Sequence, residues 1–258
     1  MKQLIIKLAD QLGIYSQLKK IKELTIEHWG NKWQLKQYER KELYSKFINE
    51  MDLCFDLGAN FGDDTRTLEE LNARVISIEP VKICYKYLKK NFKSKKVTIL
   101  NCAVGDKMGR EIINICPSSS FSTMSKDYLE HYRKKKSLAN LNWKEKQQVE
   151  VITLNYLCEK YGIPKFVKID VEGYEYEVLK NLKYKIPIIK IEFNTEFKEI
   201  AISCVKKLST LGKYEFNLAL FSDDILFLEQ WTKKEGVIRL LKELNKKFYF
   251  GNIYARLK

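Results

Sequence analysis

The sequence predicts an open α/β fold with a mostly parallel sheet and helices on both faces. Three observations carry that expectation. From residue 52 onward, short apolar runs alternate with charged stretches of helical spacing, the pattern of parallel strands joined through helices. The first run, LCFDL, passes into a glycine-bearing turn, DLGANFGDDT, that opens a helix. The second, RVISIEP, closes on an acidic residue, Glu79.

Taken in order, residues 1–50 read as helices. Leu4, Ile5, Leu8, Leu12, Ile14 and Leu18 recur at helical spacing, Gly30 and Asn31 mark a break, and a charge-paired helix is expected over 33–48. This N-terminal helical extension reads as a lid or prefix, with one α/β domain over 51–258. After LCFDL the pattern predicts a helix over 63–71, a strand over 74–80, a helix over 82–92 and a third strand over 97–105. Residues 110–146 are less regular: a serine-rich patch, PSSSFSTM, precedes a charged helical stretch through Tyr132 and Lys136. Strands are then expected over 149–154, 166–170, 187–193, 215–221 and 252–257, with an apolar run over 225–228. Helices are expected over 155–161, 174–181, 198–211 and 237–245.

Composition narrows the function. The 258 residues are 45% hydrophobic, enough to bury a sizeable core. The net charge of +14 comes mostly from lysine spread along the chain, which reads as a solvated surface more than a nucleic-acid face. None of the six cysteines forms a C-x-x-C pair, so they read as reduced core thiols. The apolar stretch near the start is broken by Lys7, Asp10 and Gln11, so neither a membrane span nor a cleavable leader is expected. A cytoplasmic protein is the expectation.

Three places carry chemistry. Gly58 and Gly62 let backbone approach a ligand at the carboxyl end of the first strand. Their G-x-x-x-G spacing lacks the third glycine of a pyrophosphate cradle, and Asp63 and Asp64 would oppose a phosphate. Glu79 stands where an acidic side chain accepts both hydroxyls of an adenosine ribose. In KIDVEGYEYEVL, the carboxylates Asp170, Glu172 and Glu175 crowd one strand-to-helix turn, and Glu192 follows at the end of the next strand. Such crowding needs a donor, a cation or a catalytic duty to account for it. No resident metal is expected, although carboxylates of this kind suit Mg²⁺. His131 reads as a surface residue.

The series DLGANFGDDT, ISIEP, NCAVGD, SSSFSTM, VITL, KIDVEGYE and IKIEFN, in this order, closely resembles the FkbM family of methyltransferases. The resemblance implies a Rossmann-like class I methyltransferase: a seven-stranded sheet, last strand antiparallel, with S-adenosylmethionine at the strand ends. It implies that Asp56, Gly58 and Asn60 line the methionine part of the cofactor; Gly62 and Thr65 of the same loop are further cofactor-binding candidates. It implies that Glu79 holds the ribose, that Asn101, Cys102 and Ala103 lie beside the adenine, and that Asp170 sits near the methyl group. Asp170, Glu192 and Glu172 are the candidate catalytic bases. FkbM-like proteins are tied to hydroxyl-rich acceptors, so O-methylation of a sugar, in a glycan or a natural product, is the expected reaction.

Three competing readings remain. The charge of +14 prompts an RNA methyltransferase, but no arginine-rich strip accompanies it. An NAD-dependent dehydrogenase lacks its third glycine here. A degenerate cofactor-binding protein is at odds with intact Gly58, Glu79 and Asp170. Nothing in the sequence specifies the oligomeric state.

Overall fold

The computed structural model describes residues 29–135, 143–221, 224–244 and 250–258. The helices expected before residue 29, and the end of the charged stretch at Lys136, lie outside the described residues.

Seven strands form the central sheet: β1 (Leu53–Leu57), β2 (Arg74–Ile78), β3 (Val97–Leu100), β7 (Phe166–Ile169), β8 (Ile188–Asn194), β9 (Tyr214–Leu220) and β10 (Phe250–Leu257). Their order is β3-β2-β1-β7-β8-β10-β9. All neighbours run parallel except β10, which is antiparallel to both β8 and β9. The order reverses between β1 and β7. In open α/β sheets that crevice, outside the carboxyl ends of the strands, is where ligands bind.

Helices cover both faces, as expected. Phe55 and Leu57 of β1 turn to one core with Val167, Ile169, Ile189 and Ile191. There α7 (Lys198–Leu211) buries Ala201, Ile202, Cys204, Val205 and Leu208, a single stripe at helical spacing. Together with α5 (Leu154–Tyr161), α6 (Glu175–Leu179) and α8 (Lys234–Glu243) it closes that face. Cys54, Val75, Phe166 and Ile188 turn to the other face, since alternate residues of a strand point to opposite sides. That face lies against α1 (Trp29–Tyr44) and α2 (Asp63–Glu70), with α3 (Lys82–Asn91) further along. Two aspartates open α2, where negative charge matches the positive helix end.

Two expectations are corrected. The stretch over 97–105 is two strands, because Asn101 ties the chain back to the carbonyls of Glu79 (2.8 Å) and Pro80 (3.0 Å). Beyond that tie β4 (Ala103–Gly105) leaves for a second sheet of order β4-β6-β5, with β5 (Gly109–Ile115) and β6 (Glu145–Thr153). Gly30 and Asn31 do not break a helix but lie within α1. Of the expected N-terminal extension, the described part packs onto the domain: Leu43, Tyr44 and Ile48 enter the core beneath the sheet. The expected apolar run over 225–228 lies alongside β9, where Phe227 donates to the Leu218 carbonyl at 2.6 Å. No helix among the described residues is long and apolar enough to cross a membrane.

Candidate active site

The loop after β1 is fixed by its backbone. Gly58 and Ala59 both donate to the Ile78 carbonyl at 3.0 Å, tying the loop to β2. Gly58 has φ 78°, and a Cβ there would stand 1.8 Å from the Asp170 carbonyl oxygen. Only glycine allows β1 and β7 to end this close together. Asn60 takes φ 48°, a left-handed conformation that asparagine tolerates.

Glu79 holds the rim of the crevice. Its two carboxylate oxygens accept the backbone N–H groups of Asn60 and Val81, each at 2.7 Å. It is 4% exposed. Burial raises its pKa to about 7, against the lowering effect of those two hydrogen bonds. Each oxygen keeps a second lone pair for a ligand hydroxyl.

On the other side, the turn after β7 carries the carboxylates. Glu172 adopts φ 56°, unusual for a residue other than glycine or asparagine. Two contacts hold it: Thr123 donates to its carbonyl and Tyr128 to its carboxylate, both at 2.6 Å. Oxygens of Asp170, Glu172 and Glu192 lie within 4.8 Å of one another, close enough to share a divalent cation. Burial, and then the Asp170 charge, push Glu172 and Glu192 well above the usual carboxylate range. Glu175 has a different duty. It accepts the N–H groups of Val171 and Gly173 at 3.1 Å and so braces the turn.

Two cavities of about 190 and 210 Å³ meet here, each far larger than a single water requires. The first is walled by Gly58, Asn60, Glu79, Pro80, Val81, Ala103, Val104 and Asp170, with Ser119 and Ser120 above. The second is walled by the aromatic rings of Phe121, Tyr128, Tyr132, Phe197 and Phe250. Ser120, Glu172 and Glu192 belong to both, forming the partition between them.

The expected site residues therefore divide. Gly58, Asn60, Glu79, Ala103, Asp170, Glu172 and Glu192 face the first cavity. Asp56 and Thr65 are fully buried beneath the loop and joined at 2.6 Å. Gly62 turns toward Leu88 of α3 and Phe92 just beyond it. Asn101 braces the chain after β2, and Cys102 is buried in the core. These five support the wall without facing the cavity. The serine-rich patch folds onto the loop: Ser119 donates to the Asn60 side chain at 2.7 Å, and Asn60 donates to Ser120 at 3.2 Å. His131 stays half-exposed, 3.3 Å from Glu196, and faces neither cavity.

Sequence reasoning missed two sets of residues. Tyr128 and Tyr132, four apart on α4 (Lys126–Arg133), build the second cavity; their shared helix face was the available signal. Lys168 is buried in β7, with Nζ 2.6 Å from the Gly58 carbonyl and 3.3 Å from both Asp56 and Asp170. A lysine between apolar neighbours in a strand was its signal.

A seven-stranded sheet of this order, with a glycine loop after β1 and an acidic residue after β2, is the class I methyltransferase arrangement. The family model described as the methyltransferase FkbM domain matches residues 56–237, and the chain belongs to that family of S-adenosylmethionine-dependent methyltransferases. Among solved structures, it is similar to a TehB-like methyltransferase from Corynebacterium glutamicum. The identity is 12% over 95% of this chain and 97% of that one, with a TM-score of 0.41. It is also similar to precorrin-6y C5,15-methyltransferase from Geobacter metallireducens, at 12% identity over 85% and 86%, TM-score 0.41. An rRNA methylase from Streptococcus thermophilus is matched at 10% identity over 84% and 94%, TM-score 0.39. No curated protein matches the chain.

Proposed function

We propose that the chain O-methylates a hydroxyl-bearing small molecule, a sugar ring in the reading favoured here, with S-adenosylmethionine in the first cavity and the acceptor in the second. The observation that carries this is the shared partition of Ser120, Glu172 and Glu192 between the two cavities. A methyl group passing from donor to acceptor crosses that partition.

The residues fit the donor. Glu79 offers two free lone pairs at the rim for a ribose diol, and Gly58 leaves bare backbone where the methionine portion would run. Ala103, Val81 and Ile113 give an apolar slot suited to an adenine ring. S-adenosylmethionine supplies a methyl group already activated on a sulfonium, so this chain's tasks are alignment, exclusion of water and removal of one proton. Asp170 faces only the donor cavity and suits the methionine end. Glu192 faces both cavities, which places it to take the acceptor proton once it is ionised. Burial, then the Asp170 charge, and after them Glu172, which is held by Tyr128, raise the pKa of Glu192.

The aromatic walls support a ring-shaped acceptor. Tyr128 and Phe197 are stacked with centroids 5.1 Å apart, and Tyr132 and Phe121 meet edge to face at 5.9 Å. Such walls cover the C–H face of a sugar while carboxylates take its hydroxyls. The test uses S-adenosylmethionine labelled in its methyl group and a panel of sugars, glycosides and RNA. Label appearing on a hydroxyl of the sugars, and lost in Glu192→Gln, supports the reading. Label on RNA bases instead would contradict it.

A further inference from the structure

A buried polar row crosses the sheet beneath the active site. In paired register, Ser77 of β2 stands beside Asp56 of β1, Asp56 beside Lys168 of β7, Lys168 beside Lys190 of β8, Lys190 beside Tyr254 of β10, and Tyr254 beside Asn217 of β9. All six are buried. Two ammonium groups side by side in a protein interior repel strongly, so their carboxylate partners set their positions. Lys190 lies 3.1 Å from Asp64 and 3.4 Å from Asp224. Lys168 lies between Asp56 and Asp170 and donates to the Gly58 carbonyl.

We infer that Lys168 is the positioning residue of the cofactor site: it holds the Gly58 carbonyl and the Asp170 carboxylate in one fixed relation, and so sets the distance between the glycine loop and the turn after β7. Two features support this. The bond to Gly58 is charge-assisted and short, at 2.6 Å. And Lys168 is absent from both cavity walls, so it acts through Gly58 and Asp170. The alternative is a purely structural cation that neutralises Asp56. The inference rests on the donor occupying the first cavity.

The test measures S-adenosylhomocysteine binding by calorimetry on the whole chain. Lys168→Met is expected to bind about 10–100-fold more weakly, the scale of one charge-assisted hydrogen bond, and Lys168→Arg to recover part of that loss. Stoichiometry reports the folded fraction and the dissociation constant reports the site, so a merely structural role lowers only the former. A double-mutant cycle with Asp170→Asn adds a second readout: a shared task makes the two losses less than additive. If Lys168→Met does not fold, Lys168→Met with Asp56→Asn, which removes the stranded charge, takes its place. Wild-type affinity in the folded variant, or strict additivity with Asp170→Asn, overturns the inference. So does failure of both variants to fold, which would make Lys168 a stability element. If wild-type protein fails to bind S-adenosylhomocysteine, the donor assignment fails and not the role of Lys168.

Discussion

Glu79 serves the loop and the ligand at once, and its protonation links the two. With a pKa near 7 in the empty protein, it is largely protonated at pH 6 and ionised at pH 8. A ribose diol donates to the ionised form. S-adenosylmethionine affinity is therefore expected to rise as pH increases through about 7 and then level off, which calorimetry across that range would reveal; flat affinity would remove Glu79 from the ribose site. Glu79→Ala should weaken cofactor binding by about 1.5–3 kcal/mol. Glu79→Gln is the milder change, since it keeps an acceptor for Asn60 or Val81. Glu79, Gly58 and the carboxylates of KIDVEG were legible in the sequence because strand ends and turn chemistry are local. Lys168, Tyr128 and Tyr132 left only local signals, a lysine among apolar strand neighbours and a shared helix face; register and the folding-over of α4 bring them to the site, and neither can be read along the chain.

At the scale of elements, α1 is fastened by charge to α2 and to the segment after β9. Arg40 lies 2.8 Å from Asp224 and 3.8 Å from Asp64, while Tyr44 donates to Asp64. Removing one partner of a buried ion pair leaves the others uncompensated. Arg40→Met is thus expected to cost about 3–5 kcal/mol in urea unfolding, whereas a loosely attached prefix would lose almost nothing. The glycine loop is equally exacting: Gly58→Ala should fold less stably and lose cofactor binding, because its Cβ collides with β7's exit. Most elements were legible to within a few residues because their apolar spacing is strong. The split at residues 101–102 was not. Its cause is a side-chain tie from Asn101 to two carbonyls some twenty residues earlier, and apolar spacing carries no trace of such a tie. The break anticipated at Gly30 failed for a similar reason, since helical context outweighed local propensity.

For the whole molecule, buried ionisable groups set the pH of greatest stability. Glu79 and Glu175 are each raised to about 7 in the folded state by burial. In the unfolded chain they ionise near the ordinary carboxylate value, so between about 4.5 and 7 the folded state holds more protons and stability falls as pH rises. Asp64 works in the opposite sense. Despite burial, Arg40, Lys190 and Lys168 hold its pKa well below the usual range, so its contribution is present above about pH 4 and lost in acid. Stability is expected to peak in mild acid, near pH 5, in urea titrations run from pH 3 to 8; a maximum at pH 8 would contradict the burial of the two glutamates. The roles of Gly58, Glu79, Asp170 and Lys168 depend on S-adenosylmethionine occupying the crevice between β1 and β7. Titration calorimetry of the wild-type chain with S-adenosylhomocysteine and, separately, with NAD tests it directly. S-adenosylhomocysteine is expected to bind at one site per chain, with NAD giving no heat of binding; saturable NAD binding without any response to S-adenosylhomocysteine would contradict the assignment.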